Sequence, residues 1–386
     1  MIFTHLLYAK DEIIASFVIS FIKNEDINKS IFFLHELYSS GFYEDSIELI
    51  FQVYYDNYYI NYPYFEDFII SKISNFKKNN NFNLLVDIIK ELWTFTPSLN
   101  VFILNYYINH CKLHASINKN SHFNNFGDAF LHSFYNNNIQ NICFYINYYC
   151  SINKYNEILE LFNIDDNYLY TNKQHLILSY IISKIQISIL NNSTLDNSEN
   201  SENSENVLLC IDNNPSISVK KLEFIDPIKH RAWKYLRNTR LYSIEHDWIG
   251  VYNLSRFNNT TKIQYSWNDN NVDDNMFNMY AYNWEYYSSF SPIWKKRIDE
   301  YKGIIDHDKK ELIIDDNNQL HDNSDGDTLF EKFYNNYNYE PDEQPLDTTM
   351  KSIITINNKN ILDLYHKFSN SNNSINLINC FVEKHL

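Results

Sequence analysis

Five glycines and seven prolines are all that punctuate 386 residues. A β-sandwich or barrel needs a tight turn between nearly every pair of strands, and those turns draw on glycine and proline. Long helices need few such residues, so helix is the expected state for most of the chain. Core material is plentiful: 44% of the residues are hydrophobic, with 32 Tyr and 27 Phe. Each ring contributes roughly 1.5–3 kcal/mol when buried, so aromatic packing should dominate. At about 150 residues per domain, the length allows two or three.

The formal net charge of −16 argues against non-specific binding of the whole molecule to nucleic acid or membrane, while leaving room for a local basic face. The cysteines (Cys111, Cys143, Cys150, Cys210, Cys380) are odd in number and form no CxxC pair. Neither a disulfide framework nor a zinc ribbon is indicated. Cys143 and Cys150, seven apart in an expected helix, would lie roughly 10 Å apart, too far to bridge. A reducing compartment fits that usage. The first residues, "MIFTHLLYAKDEIIASFVISFIKNED", hold an apolar run of only about ten residues, too short to span a bilayer. They lack the basic start and small-residue cleavage site of a signal peptide. An intracellular, cytoplasmic protein is expected.

From residue 11 to 190 apolar residues recur at three and four positions, as amphipathic helices require. Ile13, Ile14, Phe17, Val18, Phe21 and Ile22 form one face; Phe33, Leu34, Leu37 and Tyr38 form the next. Gly41 is placed to end that second helix in the left-handed conformation. Pro63 suits a first helical turn, and Pro97 closes the helix carrying Leu85, Ile88, Leu92 and Trp93. Further helices are expected over 99–114, 126–137, 139–150, 154–163 and 173–190. The connections are short, so neighbours should run antiparallel.

A small pattern recurs within this stretch: "YEDSIELIF" from Tyr43, "FNLLVDII" from Phe82, "FGDAFLHSF" from Phe126 and "YNEILELF" from Tyr155. The intervals fall in the range of helix-pair repeats. "GFYEDSIELIF" and "NKYNEILELF" resemble the start of a helix pair in tetratricopeptide or pentatricopeptide repeats. The family's regular small-residue positions are missing. The resemblance implies stacked helical hairpins and no clean 34-residue array.

Residues 191–206, "NNSTLDNSENSENSEN", are polar, acidic and of low complexity, and cannot bury enough apolar surface to offset chain entropy. They mark the expected boundary, with a helical-hairpin domain over 1–190 and a disordered acidic linker over 191–216. A smaller α+β domain is expected over 217–340, followed by a polar tail over 341–386. In the second domain a helix should follow Asp226 and Pro227, another should follow Asp274, and a third should open at Pro292 and close at Gly303. "GIIDHDKKELIID" reads as a β-hairpin turning at 306–310. "TLFEKFYNNY" is a last helix. The fold class expected is therefore mostly α, an α-solenoid-like stack of hairpins followed by an α+β unit with a β-hairpin.

Three stretches carry residues able to do chemistry. "HCKLH" sets His110 and His114 one helical turn apart, a metal-gripping spacing, with Cys111 between them and His122 and His132 beyond. No third and fourth ligands stand at a defined spacing, so neither a metal nor any other cofactor is expected. "EHDW" (Glu245, His246, Asp247, Trp248) and "DHD" (Asp306, His307, Asp308) each place a base between two carboxylates. Consecutive side chains point different ways, and the second falls in an expected turn. No GxSxG, P-loop, GxGxxG or DFG-type set occurs. A non-enzymatic protein is expected.

All five arginines and five of the six tryptophans lie between Arg231 and Arg297. From Lys220 to Arg240 seven Lys/Arg face two acids, and Lys229, Arg231, Lys234, Arg237 and Arg240 would share much of one helix surface. Arginine suits planar contacts to carboxylate or phosphate, and Trp and Arg are enriched at binding hot spots. One reading is a docking surface for an acidic protein segment or a nucleic-acid backbone. The other is an aromatic core organised by Trp233, Trp248, Trp267, Trp284 and Trp294, whose arginines pair with the chain's own carboxylates.

"ELYSSGFYEDSIELIFQVYYDNYY", "YYSSFSPIWKKRIDEYKGIID" and "FYNNYNYEPDEQP" resemble an uncharacterised protein family of large nucleocytoplasmic DNA viruses. No motif of known activity lies in those segments. The resemblance implies a host cytoplasm, viral factory or virion. The reading reached from the sequence is an interaction or scaffold module with a protein partner. The alternative is a nucleic-acid-associated factor that holds the phosphate backbone through residues 229–240.

Overall fold

A computed structural model describes residues 2–110 other than 6 and 25, then 125–195, 283–314 and 328–337. The described chain is mostly helical, with one two-stranded antiparallel sheet near the C-terminal end. It falls into two compact units, residues 2–46 with 283–337, and residues 47–195.

The first unit begins with an antiparallel pair, α1 (Lys10–Lys23) and α2 (Ile27–Ser39). Asn24 takes the left-handed conformation that ends α1, and the Asp26 carboxylate accepts from Asn28 N to cap α2. These two devices turn the chain within three residues, satisfying helix-end groups that would otherwise be orphaned. Gly41 then takes φ +85°, and a Cβ built there would stand 2.7 Å from Pro292 Cβ. Left-handed backbone and close approach together leave only glycine.

That approach reveals how the unit is assembled. α11 (Trp284–Ser288) and α12 (Pro292–Glu300) lead into strands β1 (Ile304–Asp306) and β2 (Glu311–Ile313), and α13 (Leu329–Tyr337) follows. Pro292 sits in the first turn of α12, as its fixed φ allows. Phe3 and Leu7 enter one core cluster with Trp284, Trp294, Ile298, Phe333 and Tyr337. The Trp294 indole N–H donates to Thr4 O at 3.1 Å, and Ile293 N and Ser291 Oγ both donate to Ser40 O. The boundary expected at residue 190 therefore does not separate these stretches: residues 2–46 pack with 283–337. The apolar faces of α1 and α2 look like those of any helix pair. Their partner is chosen by a buried indole needing an acceptor, which sequence periodicity does not encode.

The hairpin is antiparallel, with Ile304 opposite Ile313, Ile305 opposite Leu312 and Asp306 opposite Glu311. Its turn lies where the sequence places it. The close of α12 differs: Lys302 takes the left-handed position at φ +56°, and Gly303 does not. Gly303 is needed for space, because a Cβ there would meet Leu312 Cδ1 at 2.7 Å and Ile298 Cγ2 at 2.8 Å.

The second unit holds most of α3 (Tyr43–Asn57), a 3-10 turn at Pro63–Phe65, α4 (Glu66–Asn79), α5 (Asn83–Trp93), α6 (Asn100–His110), α7 (Phe126–Tyr135), α8 (Ile139–Ser151), α9 (Tyr155–Phe162) and α10 (Lys173–Leu195). α5 shows why these segments are helical. Leu85, Ile88, Ile89 and Leu92 repeat at three and four positions, and all are fully buried. Consecutive helices pair, α4 with α5, α7 with α8 and α8 with α9, and α10 packs against α6, α8 and α9. That central place explains its composition: residues 175–179 are buried in succession, followed by Ile181, Ile182 and Ile185. α10 also runs five residues past its expected end, into the stretch read as linker. The rest of that linker, the helix expected after Asp226, the stretch from Asp274 to residue 282 and the tail lie outside the described residues.

Candidate functional site

Lys229, Arg231, Lys234, Arg237 and Arg240 lie outside the described residues, as do Glu245, His246, Asp247 and Trp248. So do Cys111, His114 and His122, together with the His110 side chain. His132 is on α7, where its ring and its carbonyl oxygen both meet Asn136 Nδ2. Asp306 is a turn former. Its carboxylate accepts from Asp308 N at 2.9 Å and Lys309 N at 3.0 Å, which lowers its pKa. His307 lies against the rings of Tyr286 and Phe290. Among the described residues no three His, Cys, Asp or Glu side chains converge as a metal site would require.

The second unit contains a polar cluster that sequence reading missed. Asp56 from α3, Asn105 from α6 and His175 from α10 meet inside the helix stack, at 2%, 3% and 7% exposure. His175 Nδ1 and Asn105 Nδ2 each lie 2.6 Å from Asp56 Oδ1. A carboxylate only accepts, so His175 carries its proton on Nδ1 and Asn105 donates alongside. Beyond them Gln174 Nε2 donates to Asn105 Oδ1 and Asn109 Oδ1. An imidazole oriented by a carboxylate can act as a base. Here it has no Ser, Cys or Lys hydrogen-bonded to it among the described residues, and the cluster is enclosed. Its effect is to hold three helices in register. The trace in the sequence is polar residues set into apolar runs, Asp56 beside Asn57 in "QVYYDNYYI" and His175 at the head of "HLILSYII".

A second carboxyl, the partly buried Glu66, is clasped by hydroxyls. Tyr55 Oη donates to Oε1 and Tyr180 Oη donates to Oε2, both at 2.5 Å, and Asn167 Nδ2 donates to Tyr55 Oη at 2.9 Å. Burial raises its pKa, against the lowering effect of the two tyrosines. No Lys or Arg pairs with it among the described residues. Where the first cluster joins α3, α6 and α10, this one joins α3, α4 and α10.

An open site lies elsewhere in the same unit, where the start of α7, the end of α8 and the start of α9 surround a groove of about 460 Å³. Asn125 caps α7 by accepting from Asp128 N at 2.8 Å, which fixes Phe126 at the rim. The Phe126 ring lies face to face with Tyr148, centroids 4.9 Å apart and planes within 19°. Tyr145 supports Phe126 edge-on from below and itself stacks on buried Phe130. On the other side Asn153 takes a left-handed φ of 60° and Lys154 N donates to Tyr149 O, so the chain leaves α8 sharply and turns Ile152 outward. Phe126 is 48% exposed and Ile152 is 42% exposed. Lys154 Nζ lies 3.0 Å from Glu157 Oε1, which spends the lysine's charge inside the rim. The groove thus offers aromatic and aliphatic surface held by a rigid support.

No protein-family model, curated protein or solved structure matches the chain. The site has to be read from its own geometry. No described helix is long and apolar enough to cross a membrane.

Proposed function

We propose that this chain is a non-enzymatic protein-interaction module whose binding face is the groove between α7, α8 and α9. The observation that carries the reading is the half-exposed Phe126 ring, stacked on the partly buried Tyr148 and beside half-exposed Ile152. Exposed rings with rigid backing supply large contact area at little entropic cost, and aromatic residues are enriched where interfaces concentrate their energy. The buried acid–histidine cluster does not compete, because a substrate has no room beside it. The resemblance to a family of large DNA viruses makes an infected cell's cytoplasm the setting in which to seek the partner.

The test compares the whole chain with a Phe126→Ala/Ile152→Asp variant as bait, by quantitative mass spectrometry of captured proteins. Truncating a hot-spot residue costs about 2 kcal/mol or more, so a partner that uses the groove should fall at least about tenfold in the variant. Both positions are about half exposed, so the fold should be retained with only the small drop in melting temperature that the lost Phe126–Tyr148 stacking implies. A folded variant that captures the same proteins at the same level would defeat the reading.

A further inference from the structure

We infer that the occupant of the groove is a basic amphipathic helix of a partner protein, an inference that rests on the interaction reading above. Three observations select it. The first is the backbone chemistry of the walls. All three are helix ends, and among the described residues no strand edge borders the groove. An extended peptide entering the groove would find no ladder to join. A helix satisfies its own backbone and presents only side chains.

The second is the apolar surface. Phe126 at the start of α7 and Tyr148 and Ile152 at the end of α8 line the groove together, so a ligand must present several apolar side chains along one face. That is the stripe of an amphipathic helix, with residues at i, i+3 or i+4, and i+7.

The third is charge. The groove is lined by Asp128, Lys154 and Glu157. Lys154 and Glu157 neutralise one another, and no ion pair engages Asp128 among the described residues. The positive end of α7 is answered by the Asn125 cap and by Asp128 in its first turn, and that of α9, which has no side-chain cap, by Glu157 in its first turn. An anion therefore meets acidic side chains at both helix starts, whereas a lysine or arginine finds the Asp128 carboxylate without an ion-pair partner among the described residues. The net charge of −16 reinforces that preference at longer range.

The experiment titrates the full chain with three synthetic peptides, read by fluorescence anisotropy. One is an amphipathic Leu/Lys/Arg helix, one has its basic residues replaced by Glu, and one scrambles the first so that no apolar face remains. The basic helix should bind at least about tenfold tighter than either of the others. Its affinity should weaken with added salt. Ile152→Asp should lower it at least about tenfold, and Asp128→Asn about two- to fivefold, the range of an exposed ion pair. Circular dichroism of both variants should match the parent. Equal binding of the acidic peptide would overturn the inference. So would binding of the basic peptide that neither substitution changes, since that would be attraction to the acidic surface as a whole. If no peptide binds while the Phe126→Ala/Ile152→Asp bait still loses its partner, the helix assignment is wrong and the groove remains the binding face. If the bait also loses nothing, both fall.

Discussion

Leu7 tests how the first unit is built. Its side chain is fully buried in a cluster with Phe3, Trp284 and Trp294. Leu7→Ala removes three carbon groups, worth about 0.8 kcal/mol each in transfer free energy, and leaves a cavity whose cost adds to that sum. The expected loss is about 2–5 kcal/mol. At 3 kcal/mol, the population of the open state rises about 150-fold. Hydrogen exchange followed by mass spectrometry reads this segment by segment, because protection in the native state reports local opening. Peptides covering 284–300 should exchange faster in the variant, by up to that factor, together with those covering 10–39. Peptides from 83–93 and 173–188 should change far less. Leu92→Ala serves as the mirror image. It empties an equally buried position of α5 and should deprotect the second set while sparing 284–300. Were the first 190 residues one domain, Leu7→Ala would act on the helices from 47 onward and leave 284–300 untouched. That pattern would refute the assembly described here.

Three further outcomes follow from buried polar groups and from one glycine. Glu66 is held above its ordinary value near 4.5 by burial, so the fold favours its neutral form. Its contribution is present below the unfolded pKa and is lost as pH rises through the folded one; urea unfolding from pH 4 upward should show that decline, and Glu66→Gln should flatten it. His175→Leu leaves the Asp56 carboxylate buried with Asn105 alone and should destabilise the chain by about 3–5 kcal/mol, read as a lower urea midpoint; an unchanged midpoint would mean that the cluster is not tightly enclosed. Gly41→Ala imposes left-handed strain and drives a methyl into Pro292, a cost of about 2–4 kcal/mol visible as a drop in melting temperature.

Much of the helical layout was legible because local rules decide it. Leu85, Ile88 and Leu92 announce α5 by spacing, Pro292 announces the start of α12, and the polar turn of "IIDHDKKELII" announces the hairpin. What was not legible depends on residues far apart. Nothing near Thr4 says that its carbonyl will receive the indole of Trp294, and nothing near Asp56 points to His175. The groove is half visible in the sequence: "FGDAFLHSF" and "YNEILELF" read as helix starts. That Phe126 would stack on Tyr148 in the open follows only from the way α7 and α8 pair. The arginine-rich stretch over 229–240, which its composition singles out, lies outside the described residues.

The core that joins residues 2–46 to 283–337 also sets a schedule. During synthesis α1 and α2 leave the ribosome first, yet Trp284 and Trp294 follow some 280 residues later. At 5–20 residues per second the delay is roughly 15–55 s. Throughout that interval Phe3 and Leu7 lack the rings that bury them. A chain that stops before residue 283 never receives those rings, so completion of this unit reports completion of translation through α12. An aborted chain would display its uncovered front helices to whatever surveys unfinished proteins, and the finished one would hide them.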